Sequence, residues 1–436
     1  MVTGGRLASW VACFLLACPA RADAYLDPGT GNILVYFVVS LLGALLFSVR
    51  GVFWAILGKK RKGLQQADYQ SIAIFCEGRS YWNTFRPIVH ALIDKGQPFS
   101  YYSMDIHDPG LTVENDLMYQ RYIGEGSGAF ARMGQVRCRV LLATTPNIGT
   151  KGFPMPRPPH AQWLVHVCHG VDDIGLYKKG SLDHYDAVMM VGPFMIHGIR
   201  HLERLRGLRE KELLSAGLPY LDDLASKMKN PLPPTDGNTI LVAPSWGTKG
   251  CLYVYGSAFI RQLAERGFRI VLRPHPHSWR VERDLLDRVK RDTKNYANVI
   301  WDMGADGAEA MEQADLLISD TSNIRMDFAL LYERPVITLE IELSDPETFE
   351  ISDMEEAWMK KAEREIGVVV DKAGVSRIAE IAAEVLRDYK PRQLTDFRDE
   401  NVHNFGSSGN VIADYVIDKI NADERPVGSD KGDLHV

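Results

Sequence analysis

Short β-rich runs alternate with longer amphipathic stretches from about Asp68 onward, and the alternation runs through the chain twice. "SIAIFCEG" (71–78) reads as a buried strand ending in a loop glycine. "YWNTFRPIVHALIDKG" follows as a helix closed by Gly96. "PFSYYSMD", "VRCRVLLATTP", "QWLVHVCHG" and "DAVMMVG" read as further strands, the last followed by helical "PFMIHGIRHLERL". Strands spaced by helices in this rhythm predict a parallel, doubly wound sheet. The rhythm breaks at "KMKNPLPPTDGN" (227–238), where three prolines and a glycine predict an interdomain linker. It resumes with "TILVAPS", "FRIVLRPHP", "NVIWD", "DLLISD" and "PVITLE" as strands. "GSAFIRQLAERG", "RVERDLLDRVKRD", "GAEAMEQA" and "SNIRMDFALLYE" lie between them as helices. The expectation is two α/β domains, residues 68–226 and 238–390, then a closing helical segment at 391–420 and a disordered tail at 421–436. The length of 436 residues suits two domains with additions.

The additions lie at the N-terminus. Residues 1–24 read as a signal peptide, with an apolar core too short to span a bilayer and a small-residue cleavage site at Ala22–Ala24. A second apolar run at 33–58 is long enough for a transmembrane helix. Arg50 near its end can snorkel to the headgroups. "KKRK" (59–62) follows at once and orients the chain, because clustered positive charge marks the cytoplasmic flank of a span. The same cluster can also bind anionic lipid as a solvated flank. The expected localisation is therefore single-pass in the inner membrane, with the domains in the cytoplasm. The net charge of −6 argues against wholesale nucleic-acid binding. Six cysteines with no CxxC pair outside the leader predict neither a zinc site nor a disulfide framework. Cys168, beside His169, reads as a nucleophile or as a buried strand thiol.

Open parallel sheets bind ligands at the carboxyl ends of their strands. Three polar clusters fall there. In "HVCHGVDDIGLYKKG" (166–180), His169 and Gly170 sit just past a strand. Gly170 allows a sharp turn, and His169 can act as a general base or merely cap the strand. Lys178 and Lys179 follow. In "VLRPHPHSWR" (271–280), Pro274 and Pro276 hold the backbone extended, so Arg273, His275 and His277 share one face. That set suits an anion such as a diphosphate. Zinc or a plain solvated loop are the other readings, and no third ligand for zinc is near. In "LLISDTSNIRMDF", Ser319, Asp320, Thr321, Ser322 and Asn323 precede a helix. They form an anion site at its N-terminus, or supply its N-cap. "HGIRHLERLRGLREKELL" reads as one mixed-charge helix, and "AGLPYLDDL" as a turn whose Asp222 and Asp223 carry no chemistry.

These segments in this order resemble the CDP-glycerol glycerophosphotransferase family, the teichoic-acid primases and polymerases. The resemblance runs from about Gln162 to Ile420. "HGVDDIGLYKKG" resembles the family's His-Gly segment, with Val171-Asp172-Asp173 standing where the family has Thr-Pro-Leu. "AGLPYLDDL", "APSW", "LRPHPH", "SDTSNIRMDFALLYERPVI" and "NFGSSGNVIADYVIDKI" resemble further family segments in sequence. The resemblance implies a GT-B fold, two Rossmann-like domains facing a cleft, with the donor bound mainly by the second. It implies transfer of glycerol phosphate, or a related polyol phosphate, from CDP-glycerol to a hydroxyl of a lipid-linked or surface-glycan acceptor, releasing CMP. His169 would be the base. His275 and Arg273 would bind the diphosphate, and Thr321 and Ser322 would hold phosphate oxygens. Gly170, Lys179, His277, Ser319, Asp320 and Asn323 would line the substrate site. No metal or cofactor is implied. A glycosyltransferase using a UDP- or GDP-sugar is the alternative on the same scaffold, and a membrane-tethered binding protein without turnover is a third.

Overall fold

The strands build two sheets, and every pairing in both is parallel. The structure is a computed structural model that describes residues 70–422 apart from 172, 230–231, 233–234, 305–306, 342–345 and 355–356. The expected signal peptide, the span at 33–58, the "KKRK" cluster and residues 423–436 of the tail lie outside the described residues. Among the described residues no helix is long and apolar enough to cross a membrane.

The first sheet contains β1 (Ile72–Cys76), β2 (Phe99–Ser103), β3 (Met118–Tyr122), β4 (Cys138–Ala143), β5 (Ala161–Val167), β6 (Ala187–Met190) and β7 (Glu212–Ser215). Its order is β3-β2-β1-β4-β5-β6-β7. The second contains β8 (Thr239–Val242), β9 (Arg269–Leu272), β10 (Val299–Trp301), β11 (Leu316–Ser319), β12 (Val336–Leu339) and β13 (Gly367–Val370), in the order β10-β9-β8-β11-β12-β13. The register is regular, with Ile74 beside Tyr101, Leu142 beside Val165 and Leu241 beside Val271. The central strands, IAIFC, TILV, LLIS and VITL, are buried throughout. Helices cover both faces of such a sheet, so its strands must be apolar at successive residues rather than at alternate ones. Each sheet reverses direction once, between β1 and β4 and between β8 and β11. Those two points open crevices at the strand ends. The architecture is the GT-B-like pair of doubly wound lobes expected from the sequence.

Several elements differ from expectation. The mixed-charge helix ends at Arg206, where Gly207 turns left-handed at φ 62°, and the chain then runs as β7 along the sheet edge. The segment read as a turn is the helix Pro219–Lys227, with proline in its first turn, where the missing N–H is not needed. β3 and β13 are strands that the sequence did not announce. The closing segment is two helices, Pro391–Asn401 and Ser408–Ala422, parted by the positive-φ residues Asn404 and Gly406.

That closing segment returns to the first lobe. Ile412, Ala413, Val416 and Ile420 join Phe85, Ile88, Val89 and Leu92 of the helix Trp82–Asp94 in one apolar cluster. The approach is close enough to require glycine twice. A Cβ on Gly192 would lie 1.8 Å from the Asn401 carbonyl oxygen, and one on Gly217 (φ 91°) would lie 2.1 Å from that of His403. Asp222 fixes the crossing by accepting the Gly406 N–H at 2.6 Å and the Ser408 N–H at 2.8 Å. The lobes also share a core, since one cluster holds Leu164 and Ile174 of the first with Leu241, Leu317 and Phe328 of the second. Phe194 stacks on Trp358 across it, at 3.7 Å between ring centroids.

Candidate active site

On the first lobe the polar residues gather at the ends of β1, β4 and β5. His169 leaves β5 and leans toward β1, where its ring meets Tyr81 edge-on at 5.3 Å. β4 lies between those two strands. Its end supplies Thr144 and Thr145, whose buried hydroxyls have no hydrogen-bond partner in the protein, and the same holds for Nδ1 of His169 and Nδ1 of His166. Buried polar atoms are paired in the great majority of cases, so four unpaired ones at adjoining strand ends single out this position. His166 is wholly buried between Tyr185 (5.0 Å) and Tyr177 (5.9 Å). Burial, and then the neighbouring His169, push its pKa down to about 3, so it stays neutral. Cys168, one residue past the end of β5, is buried in the core.

On the second lobe two of the expected clusters meet. β9 lies beside β8, and β8 beside β11. Burial, and then the neighbouring His277, lower the His275 pKa against the weaker pull of Glu282 and Asp320. The His277 N–H donates to Nδ1 of His275 at 3.1 Å. Neutral His275 therefore keeps its proton on Nε2 and presents a donor. The His275 and His277 rings stack at 5.4 Å, and Trp246, 51% exposed, lies 5.1 Å from His277. Arg273 departs from the common face, because its guanidinium pairs with Asp302 at 2.6 Å.

The 319–323 segment splits by role. Ser319 donates to the Ala243 carbonyl. Asp320, fully buried, accepts N–H bonds from Ser245 at 3.1 Å and Cys251 at 2.7 Å, and so shapes the loop after β8. Thr321 is exposed, and Ser322 and Asn323 are partly so, at the start of the helix Ile324–Tyr332. Asn323 is the N-cap residue, without a side-chain cap bond. Arg325 anchors that first turn from inside, bonded to Glu363 at 2.8 Å and Thr338 at 3.1 Å.

Gly170 is buried at the bend after His169. Lys179 is engaged elsewhere, with its ammonium on Asp353 at 2.8 Å. Among the described residues no hydrogen bond or ion pair joins His169 to either second-lobe cluster, and no group of three or more side chains could hold a metal ion. Sequence reasoning passed over Thr144, Thr145, His166, Tyr81 and Trp246. The strand-end rule applied to "ATTP" and "APSW" would have found the threonines and the tryptophan.

Comparison with known proteins converges on the same reading. Residues 178–348 match the family model described as CDP-Glycerol:Poly(glycerophosphate) glycerophosphotransferase. Among solved structures the chain is similar to a variant of the wall teichoic acid polymerase TagF soaked with CDPG, at 14% identity and TM-score 0.51. That likeness covers 88% of this chain and 99% of that one. It is also similar to the UDP-GlcNAc 2-epimerase of Methanocaldococcus jannaschii (15% identity, TM-score 0.52, 79% and 99% covered). A third likeness is to S. aureus MnaA in a co-structure with UDP (13% identity, TM-score 0.54, 82% and 99% covered). At these identities the structures share the fold. No curated protein matches the chain significantly. With its family pattern carried by residues 178–348, the chain is a CDP-glycerol glycerophosphotransferase-like enzyme.

Proposed function

We propose that the enzyme transfers glycerol phosphate, or a related polyol phosphate, from CDP-glycerol to a hydroxyl of a lipid-linked or cell-surface glycan acceptor, at the cytoplasmic face of a bacterial inner membrane. The family match over residues 178–348 carries the donor class. The apolar run at 33–58 and the "KKRK" behind it support the membrane location.

In this reading His169 takes the proton of the acceptor hydroxyl. The freed oxygen attacks the phosphorus that bears glycerol, the bond to the bridging oxygen breaks, and CMP leaves with the electron pair. His275 donates from Nε2 to a diphosphate oxygen. The start of the helix Ile324–Tyr332, with Thr321, Ser322 and Asn323, offers hydroxyls and a positive dipole end to the phosphates. His277, stacked on His275, lines the same wall, Arg273 stands behind it on Asp302, and Ser319 and Asp320 hold the loop after β8. Charge moves between phosphate oxygens during such a transfer. Fixed donors and one base are therefore the parts it needs.

The test is calorimetry on the full-length protein in detergent, with CDP-glycerol, CDP-ribitol, a UDP-sugar and a GDP-sugar. Cytidine-selective binding that His275→Ala weakens about tenfold or more supports the proposal. Preference for a UDP- or GDP-sugar makes the protein a glycosyltransferase instead, and no binding of any donor removes both.

A further inference from the structure

The segment that carries His169 is fixed from the other lobe. Asp173 lies four residues beyond His169 and is 3% exposed. Its Oδ1 accepts the Gly175 N–H at 2.8 Å and caps the short turn Ile174–Leu176. Its Oδ2 accepts the Met359 N–H, also at 2.8 Å, in the first turn of the helix Trp358–Glu365. One buried carboxylate thus gives one oxygen to each lobe. The contact continues beyond it. Lys178 forms a single antiparallel bridge with Phe349, the Lys179 N–H donates to the Thr348 carbonyl at 3.1 Å, and the Gly180 N–H donates to Glu350 at 2.9 Å. Glu350 is itself buried and held by Arg206.

We infer that Asp173 is a positioning residue that makes the placement of His169 depend on the position of the second lobe. The inference rests on the reading of His169 as the base. A carboxylate at a helix N-terminus is favoured by both the N–H donors and the dipole. Burial strengthens that bond. An amide cannot replace it, because its NH2 would face one of the two N–H donors. His169 has no hydrogen bond at Nδ1 to orient it. Its ring meets Tyr81, and Asp173 follows it four residues later in the chain. Any shift of the helix Trp358–Glu365 is therefore passed to the loop of the base.

The test compares wild type with Asp173→Asn in the full-length protein. It measures kcat at saturating donor and acceptor, the CDP-glycerol Kd by calorimetry, and hydrogen exchange of peptides spanning 166–180. The expected result is a kcat lower by about tenfold or more, as for a small misplacement of a reacting group. Kd should stay within about twofold, and exchange should quicken in 166–180 but not in β8 or β11. Asp173→Ala removes both hydrogen bonds from the same end and should loosen 166–180 at least as much. Unchanged exchange in 166–180 in both variants, or a kcat loss matched by an equal loss of donor affinity, overturns the inference. If the wild type binds and turns over no CDP-glycerol, the donor assignment fails, and the exchange measurement still decides whether Asp173 fixes the loop.

Discussion

His166 should make the protein measurably weaker in mild acid, and the size of the effect can be worked out. Its folded pKa is about 3 because the ring is wholly buried and sits beside His169. In the unfolded chain it returns to the ordinary value near 6.5. Above that value neither state binds the proton, and the contribution is fully present. As pH falls below it, the unfolded chain takes up a proton that the folded chain refuses, so stability drops steadily until pH nears the folded value. Between pH 7 and pH 5 the loss amounts to about 2 kcal/mol. At about 2 cal/mol/K of unfolding entropy per residue, over roughly 350 cooperative residues, this corresponds to about 3 °C in Tm. The assay is thermal unfolding of full-length protein in detergent at both pH values, for wild type and for His166→Phe, which keeps the ring volume and removes the titration. Groups remote from His166 cancel between the two chains. The variant should lose about 3 °C less than wild type on acidification. Equal losses would show that His166 is protonated in the folded protein, and would refute the account of its burial.

Two further outcomes follow from contacts between segments. Gly217→Ala combines a φ of 91° with a Cβ 2.1 Å from the His403 carbonyl, so the closing segment must shift. It should cost about 3 kcal/mol or more and expose the chain near residue 390 to protease, read by Tm and by mapping the cleavage site. Arg325→Met leaves the buried Glu363 carboxylate with only the more distant Lys360, at 3.8 Å, and should cost about 3 kcal/mol, whereas adding Glu363→Leu should recover most of it in a double-mutant cycle of thermal unfolding.

Legibility in the sequence followed position in the sheets. Strands buried on both faces, such as IAIFC and AVMM, are apolar without interruption and could be read directly. The strands that escaped, β3, β7 and β13, all lie at sheet edges. MYQRY and ELLS are half exposed, so their polar residues carry no strand period, and ELLS continues the charge pattern of the helix before it. The candidate site was legible as a set of strand ends, because the fold rule places ligands there. Its partners were not. Nothing near Asp173 in the chain points to Met359, nothing near Asp320 points to Cys251, and Lys179 gives no sign of Asp353. Such pairings arise only when distant segments are brought together, and the same is true of the diverted Arg273, which its own strand pattern aims at the cleft.

The returning helix Ser408–Ala422 also sets an order for biosynthesis. The outer layer of the first sheet takes Ile412, Ala413, Val416 and Ile420 into its core, and these are among the last described residues. A nascent chain that has released all of β1 to β7 still has an apolar groove along the helix Trp82–Asp94 with nothing in it. The lobe made first can be finished only after the lobe made second has been translated. A chain cut short anywhere before about residue 422 would present that groove to solvent, and quality-control proteases would meet an incomplete first lobe rather than a smaller stable protein.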